Sequence, residues 1–242
     1  MKVFGFIAVL ITGALLVYAV GDLPKFGDPN SPPSQSGISK HYIEETYNES
    51  KVPNLVTAVL ADYRSYDTMF ETVVIFTAGI AIIAILRGLG AQTHRPDRAA
   101  PDDKIIKITC RKLVPIIQTF ALYVLINGHY SPGGGFQGGV IFGASFILLA
   151  ISKDLDSALK RLSSKAFIAT AAFGILLYAG HGVVAQLLGG RFLEYGVLGP
   201  TPELGRYWAM LGIEVGVFLT CAAIMFGIYA NLSTRGALKR GL

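Results

Sequence analysis

The chain has 242 residues, 52% of them hydrophobic and only 15% charged, with a formal net charge of +5. Soluble domains carry about 25% charged residues, so this balance excludes an ordinary soluble domain and points to a membrane protein. Cys110 and Cys221 lie far apart with no CxxC or His/Cys spacing, which excludes a disulfide framework or a zinc site and leaves both as small hydrophobes.

Val3 to Val20 is the first apolar run. At 1.5 Å per residue, about 18 residues cover most of a 30 Å hydrocarbon core. The run is longer than the core of a signal peptide and lacks an A-x-A site, so it is read as a retained helix. Residues 21–53 are polar and rich in Pro, Ser and Gly. They read as an extended extracytoplasmic loop with a short helix at HYIEETYNE.

Residues 54–68, NLVTAVLADYRSYDT, place Leu55, Val56, Val59 and Leu60 at helical spacing. They end in charges beside Tyr63 and Tyr66, as at a membrane–water interface. A short interfacial or re-entrant helix is expected here, with Asp67-Thr68 capping the next span and Glu71 in its first turn. The second span is Met69 to Leu86. A basic segment follows, including Arg87, Arg95, Arg98, Lys104, Lys107, Arg111 and Lys112. The third span begins near Ile105, contains Pro115 and ends at Ile126.

Asn127 to Ala144, NGHYSPGGGFQGGVIFGA, is a glycine-rich stretch without a charged residue. It leads into the fourth span, completed by Val140 to Ile151. A second basic loop carries Lys153, Lys160, Arg161 and Lys165. The fifth span, Ala166 to Leu188, contains His181. A polar loop to Arg206 precedes the sixth span, Tyr207 to Ala230, which contains Glu214. The tail holds Arg235, Lys239 and Arg240. Placing the basic segments inside puts 15 of the 21 lysines and arginines there, as the positive-inside rule asks. Six spans result, with both termini cytoplasmic and the glycine-rich stretch facing outward.

Gly135, Gly139 and Gly143 repeat every four residues, as do Gly212 and Gly216. Such faces let helices approach closely in lipid, either within the chain or against a neighbouring polypeptide. A carboxylate at Glu214, about 11 Å into its span, is costly there. It lies about 200° around the helix from Gly212 and Gly216. His181, about 21 Å into the antiparallel fifth span, falls at a similar depth. The two read as either a proton or cation relay or a structural pair. His129, at the outer end, either extends such a path or bonds the glycine loop. Asp62, Arg64, Asp67 and Glu71 form a charged group near the same surface, either an Asp–Arg pair with capping or a polar entrance for cations. No P-loop, dinucleotide fingerprint, CxxCH or HExxH is present, and the basic clusters flank the membrane, which excludes nucleic-acid binding.

GHYSPGGGFQGGVIFGASFILLAI (128–151) and RYWAMLGIEVGVFLT (206–220) resemble the B subunit of Mrp-type multisubunit Na⁺/H⁺ antiporters, over about residues 105–235. NLVTAVLADYRSYDTMFETVVIFTAGIAIIAILR (54–87) is similar to the C-terminal segment of the Mrp A subunit, and equally to a small membrane subunit of energy-converting hydrogenases. Asp62, Arg64, Asp67, Thr68 and Glu71 keep that segment's polar positions, while Tyr63, Tyr66 and Ser65 replace its Phe, Phe and Gly.

The resemblance implies a fusion of two neighbouring subunits. The divisions are a first span at 1–20, an extracytoplasmic loop at 21–53, an A-like segment at 54–90, a basic linker at 91–104, a B-like four-helix domain at 105–235 and a basic tail at 236–242. It further implies an all-α integral membrane protein of a prokaryotic cell membrane. Such a chain would be a non-catalytic subunit with no cofactor or metal site of its own. Its partners would be other membrane subunits and the lipid bilayer, with Na⁺ and H⁺ as the transported ions. Glu214, Glu71, His181, His129 and Asp62 are the ion-path candidates. The alternative is the same module in an energy-converting oxidoreductase that couples electron transfer to ion translocation.

Overall fold

The computed structural model describes residues 2–88 and 103–234, together with 236 and 238. Most of the basic linker expected at 91–104, with Arg95 and Arg98, lies outside the described residues, as do Arg235, Lys239 and Arg240 of the tail. Every element among the described residues is helical. The chain divides into two compact units, Met1–Glu45 and Thr46–Leu242.

The first unit holds α1 (Lys2–Val20), α2 (Pro32–Gln35) and most of α3 (Gly37–Ser50). The polar segment is therefore more helical than its composition suggested. Its prolines and glycines all fall at or before Gly37 or after Ser50, so nothing breaks the helix between them. The Ser39 hydroxyl donates to Pro33 O (2.7 Å) and ties α3 to α2. At its far end α3 stops in the left-handed region at Lys51, φ 56°, the usual geometry of a helix C-terminus.

The second unit contains α4 (Leu55–Ala58), a π-helical turn (Val59–Tyr63), α5 (Ser65–Gly88), α6 (Lys104–Ile126), a 3₁₀ turn (Asn127–His129), α7 (Gly135–Ser152), α8 (Leu155–Leu159), α9 (Ser164–Leu187), a 3₁₀ turn (Tyr195–Leu198) and α10 (Pro202–Ser233). With α1, helices α5, α6, α7, α9 and α10 make the six helices long and apolar enough to cross a membrane. The short helical segment expected at 54–68 is α4 with the π turn. α5 begins earlier than expected, at Ser65. Thr68 does not cap it: its hydroxyl donates back to Leu60 O (2.8 Å) and closes the π turn onto α5.

Side-chain caps set the starts of α6, α9 and α10. Asp103 accepts from Ile105 N (2.7 Å), Ser163 from Ala166 N (3.2 Å) and Thr201 from Leu204 N (3.4 Å), with Pro202 at the first helical position. These are the residue types that satisfy otherwise unpaired N–H groups.

α10 is the centre of the second unit. It packs on α9, α7 and α5, while α6 packs on the outer side of α7. Its 32 residues give a length of about 48 Å, longer than a hydrocarbon core of about 30 Å. Its glycines and its neighbours' glycines decide how close these contacts are. A Cβ on Gly135 would collide with the carbonyl oxygen of Glu214, one on Gly139 would meet Phe218 O at 2.8 Å, and one on Gly143 would meet Ala222 O at 2.8 Å. The four-residue repeat on α7 thus sits in register with a four-residue repeat on α10. Of the two uses its spacing allowed, the chain uses it internally.

The opposite face of α10 packs on α9 by the same device. A Cβ on Gly216 would stand 2.6 Å from Gly174 O, and one on Gly174 would collide with Gly216 O. The Thr220 hydroxyl lies 3.0 Å from Ala171 O across this contact and 3.0 Å from Gly216 O within its own helix. Between α6 and α7, Gln118 donates to the Ser145 hydroxyl (3.0 Å). At the far end of α5, Arg87 donates to Asn231 Oδ1 (3.3 Å) and Ser164 Oγ (3.0 Å), joining α5 to α10 and α9. Cys110 and Cys221 are both buried and free.

Candidate functional site

The chemistry gathers at the end of the second unit where residues 54–68, 127–137 and the first turns of α10 meet. The chain must reverse between α6 and α7, and it does so through the 3₁₀ turn and Gly134, whose φ of +120° suits glycine. Asn54 holds this reversal in place. Its amide lies within hydrogen-bond distance of Gly128 O (2.8 Å), Ser131 O (2.9 Å) and Thr57 Oγ1 (2.9 Å), and its backbone N–H donates to His129 O (3.0 Å). Thr57 adds a hydroxyl donated to Gly128 O (2.8 Å). Asn54 also caps α4 through Val56 N (3.1 Å), so one residue starts a helix and fastens the glycine stretch.

Glu214 projects from α10 into this corner. It is 8% exposed and its Oε2 has no hydrogen-bond partner. A Cβ on Gly128 would stand 3.0 Å from Oε2, and one on Gly134 would stand 2.8 Å from Oε1. The carboxyl therefore lies against bare backbone, where side chains would displace it. Beside it is a cavity of about 70 Å³. Its polar lining is Thr57, Thr68, Gln137 and Glu214 with the backbone of Gly133–Gly135, and its apolar lining includes Val56, Leu60 and Val217. The N-terminus of α7 opens on the same space and favours negative charge there.

His129 is buried next to this corner, 1% exposed, with Nε2 unpartnered and its ring edge-on to Tyr207 at 4.6 Å between centroids. It sits on the glycine stretch, adjoining Gly128. His181 does not join Glu214. Its Nδ1 lies 2.8 Å from Leu177 O, and a Cβ on Gly212 would stand 2.5 Å from its Nε2. It occupies the α9 face of α10, beside an open apolar cleft of about 600 Å³ that also involves Phe173, Leu176 and Trp208. Equal depth along two helices did not produce a pair, because Gly212 and Glu214 point about 200° apart.

Asp62 leaves the π turn and pairs with Arg206 Nη1 at 3.3 Å; the same nitrogen holds Glu49 at 2.9 Å. Tyr63 donates to Glu49 at 2.6 Å. Burial pushes the Asp62 carboxyl above its usual value, and the Arg206 charge opposes that. Burial, with the bond to Glu49, pushes the Tyr63 phenol up to about 12. Arg64 pairs with Asp67 at 2.6 Å on the exposed side, the one Asp–Arg pair within the anticipated group; Asp62 is paired instead with Arg206, from outside it. Glu71 lies in the second turn of α5 on its exposed side. Deeper in, the Ser65 hydroxyl bonds both Tyr178 OH (3.0 Å) and Tyr195 OH, three buried hydroxyls in a row.

Asn54, Thr57, Gln137 and Arg206 were not singled out from the sequence. Asn54 carried a signal, a capping residue type before an apolar run. In the sequence Arg206 only closes the polar loop before the sixth span. Gln137, inside the glycine-rich stretch, and Thr57, inside a short apolar run, are ordinary polar residues and carried none.

Residues 105–227 match the family described as "Domain related to MnhB subunit of Na+/H+ antiporter". Residues 30–100 match the family of the MBH E subunit. The B subunit of a Na(+)/H(+) antiporter of Bacillus subtilis is 34% identical over 131 residues, 48% of this chain and 91% of that protein. The A/B subunit of a probable K(+)/H(+) antiporter of Rhizobium meliloti is 26% identical over 77% of this chain, which spans only 21% of that protein's length. Among solved structures, a chain of the archaeal membrane-bound sulfane sulfur reductase, a respiratory membrane complex, is similar with a TM-score of 0.69 at 25% identity, over 96% of this chain and 97% of that one. A chain of the Mrp complex from Dietzia sp. DQ12-45-1b shares the fold, with a TM-score of 0.75 at 22% identity, over 99% of this chain and 26% of that one.

Proposed function

The chain belongs to the family of domains related to the MnhB subunit of Na⁺/H⁺ antiporters, and on that premise we propose that it is a non-catalytic membrane subunit of a multisubunit cation/proton antiporter. In this reading it supplies polar residues to an ion path, with Na⁺ and H⁺ as the ions. Other membrane subunits are its partners, and a prokaryotic cell membrane is its location. Both termini are cytoplasmic, because that orientation gathers the basic segments inside.

The observation that carries the reading is Glu214. A carboxyl inside a spanning helix, nine-tenths buried and with one oxygen unpartnered, is costly to keep in lipid and is accounted for by ion handling. Glu71 fits the same reading from another side. A carboxyl on the exposed face of α5 is unsuited to hydrocarbon and suited to a neighbouring polypeptide of the complex. Glu214→Gln in the assembled complex tests the proposal. Na⁺-dependent proton exchange in everted membrane vesicles should fall at least tenfold, about 1.4 kcal/mol of barrier; full exchange would end the reading.

The likeness to nearly the whole length of a sulfane sulfur reductase chain favours one second reading, the same module in a respiratory oxidoreductase. The polypeptides that co-purify with the chain discriminate the two. Iron–sulfur or nickel–iron subunits indicate the redox complex, and their absence from an active preparation indicates the antiporter.

A further inference from the structure

We propose that the N-terminal third of α6 binds the phosphate of an anionic phospholipid through Lys104, Arg111 and Lys112, and lays that lipid's chains along its outer face. The site lies at the opposite end of α6 from the glycine stretch and the Glu214 corner.

α6 meets the rest of the unit chiefly through α7, and Cys110, Val114, Ala121 and Leu125 are buried on that side. Its other side is exposed and apolar, with Ile108, Ile116, Phe120 and Ile126 among its residues. Into this surface the sequence sets four cations, Lys104, Lys107, Arg111 and Lys112, and no Asp or Glu falls between residues 104 and 126. Asp103 just before them turns its carboxylate to Ile105 N and Ile106 N. Lys104, Arg111 and Lys112 are exposed, and among the described residues no carboxylate pairs with them.

Two of these cations stand too deep for water to serve them. Counted back from Ile126 at about 1.5 Å per residue, a hydrocarbon core of about 30 Å ends near Lys107. Arg111 and Lys112 therefore lie about 6–8 Å inside it, where an uncompensated charge is costly. Long basic side chains relieve that cost by reaching back to the interface, and the anions found at that level are lipid phosphates.

The arrangement favours a lipid over the carboxylate of a neighbouring polypeptide. At about 100° per residue, Arg111 comes round to within about 20° of Lys104, about 10.5 Å further along the axis. The two side chains bracket one phosphate from either end. Lys112 leaves the helix about 100° from Arg111, so one carboxylate cannot serve both, whereas a leaflet presents phosphates on every exposed side. Beyond Arg111 the same face continues as Pro115, Leu122 and Ile126, all within about 40° of Lys104 and all exposed. The Thr119 hydroxyl beside them donates to Pro115 O (2.9 Å), which leaves that stretch apolar, as acyl chains require.

The test uses the purified complex containing the full chain. It is equilibrated with phosphatidylglycerol that carries a photoreactive diazirine in one acyl chain, or with the phosphatidylcholine of the same chains, and cross-linked peptides are mapped by mass spectrometry. A basic residue near an anionic surface is worth about fivefold in binding. Phosphatidylglycerol should therefore label residues 113–126 at least about tenfold more than phosphatidylcholine does. Arg111→Gln with Lys112→Gln should lower the phosphatidylglycerol labelling about 25-fold and leave the phosphatidylcholine labelling unchanged. Arg111→Lys with Lys112→Arg keeps both charges and should retain the preference, so a glutamine variant that fails to assemble does not end the test. Equal labelling by the two lipids overturns the site, as does a glutamine variant that labels like the parent. A 113–126 stretch that neither lipid labels overturns it too; a zero-length carbodiimide cross-link from Lys112 to another polypeptide then identifies a protein as the occupant.

Discussion

Oε2 of Glu214 lies 3.0 Å from the point that a Cβ on Gly128 would occupy. The tip of a carboxyl from α10 and the backbone of the glycine stretch thus share one space, and neither leaves room for another atom. The same added Cβ would stand 2.9 Å from the Cα of Gly134, which is backbone and cannot swing aside.

Gly128→Ala should therefore destabilise the chain by about 1–3 kcal/mol, the range for overfilling a packed site, and should displace the carboxyl. A lower midpoint in thermal unfolding of the detergent-solubilised complex, together with reduced exchange, checks this. Gly180→Ala is the contrast, because a Cβ there meets nothing within 4 Å. In a helix that change stabilises by about 1 kcal/mol or less. Equal losses from the two substitutions would sink the packing argument.

The fastening by Asn54 makes a sharper prediction than a simple deletion. Asn54→Ala removes the amide donors from Gly128 O and Ser131 O and should cost about 1–3 kcal/mol. Asn54→Asp keeps the size and the cap on α4 but turns a carboxylate, which has no hydrogen to give when ionised, toward those two carbonyl oxygens. It should be the worse of the two. Protease sensitivity of the 127–134 segment and the unfolding midpoint both report the order. Aspartate proving milder than alanine would mean that capping, and not the hold on the glycine stretch, is what Asn54 provides.

Asp62 sets a pH dependence whose sign follows from its direction of shift. Burial outweighs Arg206, so the carboxyl holds its proton more tightly in the fold than its usual value of 3.8 allows. A raised folded value contributes stability that is fully present below the unfolded value and is lost as pH rises through the folded one. The parent should lose this contribution across a window starting near pH 4. Asp62→Asn does not titrate, so its stability relative to the parent should improve from pH 4 upward. Arg206→Met should exaggerate the loss, by about 1–3 kcal/mol at neutral pH, because it leaves Glu49 and Asp62 without the shared guanidinium nitrogen. Parallel pH profiles for parent and Asp62→Asn would contradict the assignment.

The six spans were legible because each is a long, unbroken apolar run with few charges, and such a run satisfies its own backbone in lipid only as a helix. The close approach of α7 was legible too, since glycines every four residues have a clear use in a membrane. Which helix would receive them was not, because Phe218 and Ala222 offer backbone carbonyls, and any residue type supplies those. The ion pairs escaped for a related reason. Arg206 is separated by 144 residues from Asp62, and only the folded arrangement of α10 beside the π turn selects it over the nearer Arg64. The cavity beside Glu214 depends on how the π turn, the glycine stretch and α10 meet, and composition carries no record of that.

The separation of His181 from Glu214 is itself open to measurement. His181, on α9, lies against Gly212 on one face of α10, and Glu214 leaves the opposite face of α10 toward the glycine stretch; the two share no hydrogen bond and line different cavities. Substitutions at sites without shared partners usually add within about 0.3–0.5 kcal/mol, whereas members of one network couple by about 0.5–3 kcal/mol. A double-mutant cycle of His181→Gln and Glu214→Gln should therefore show additive changes in stability, and additive changes in the log of the exchange rate. His181→Gln keeps a donor for Leu177 O, so on its own it should change exchange by less than about threefold, under about 0.7 kcal/mol. A coupling above about 1 kcal/mol would join the two residues in one relay, and the path would then have to run through α10 instead of along the face that carries the cavity.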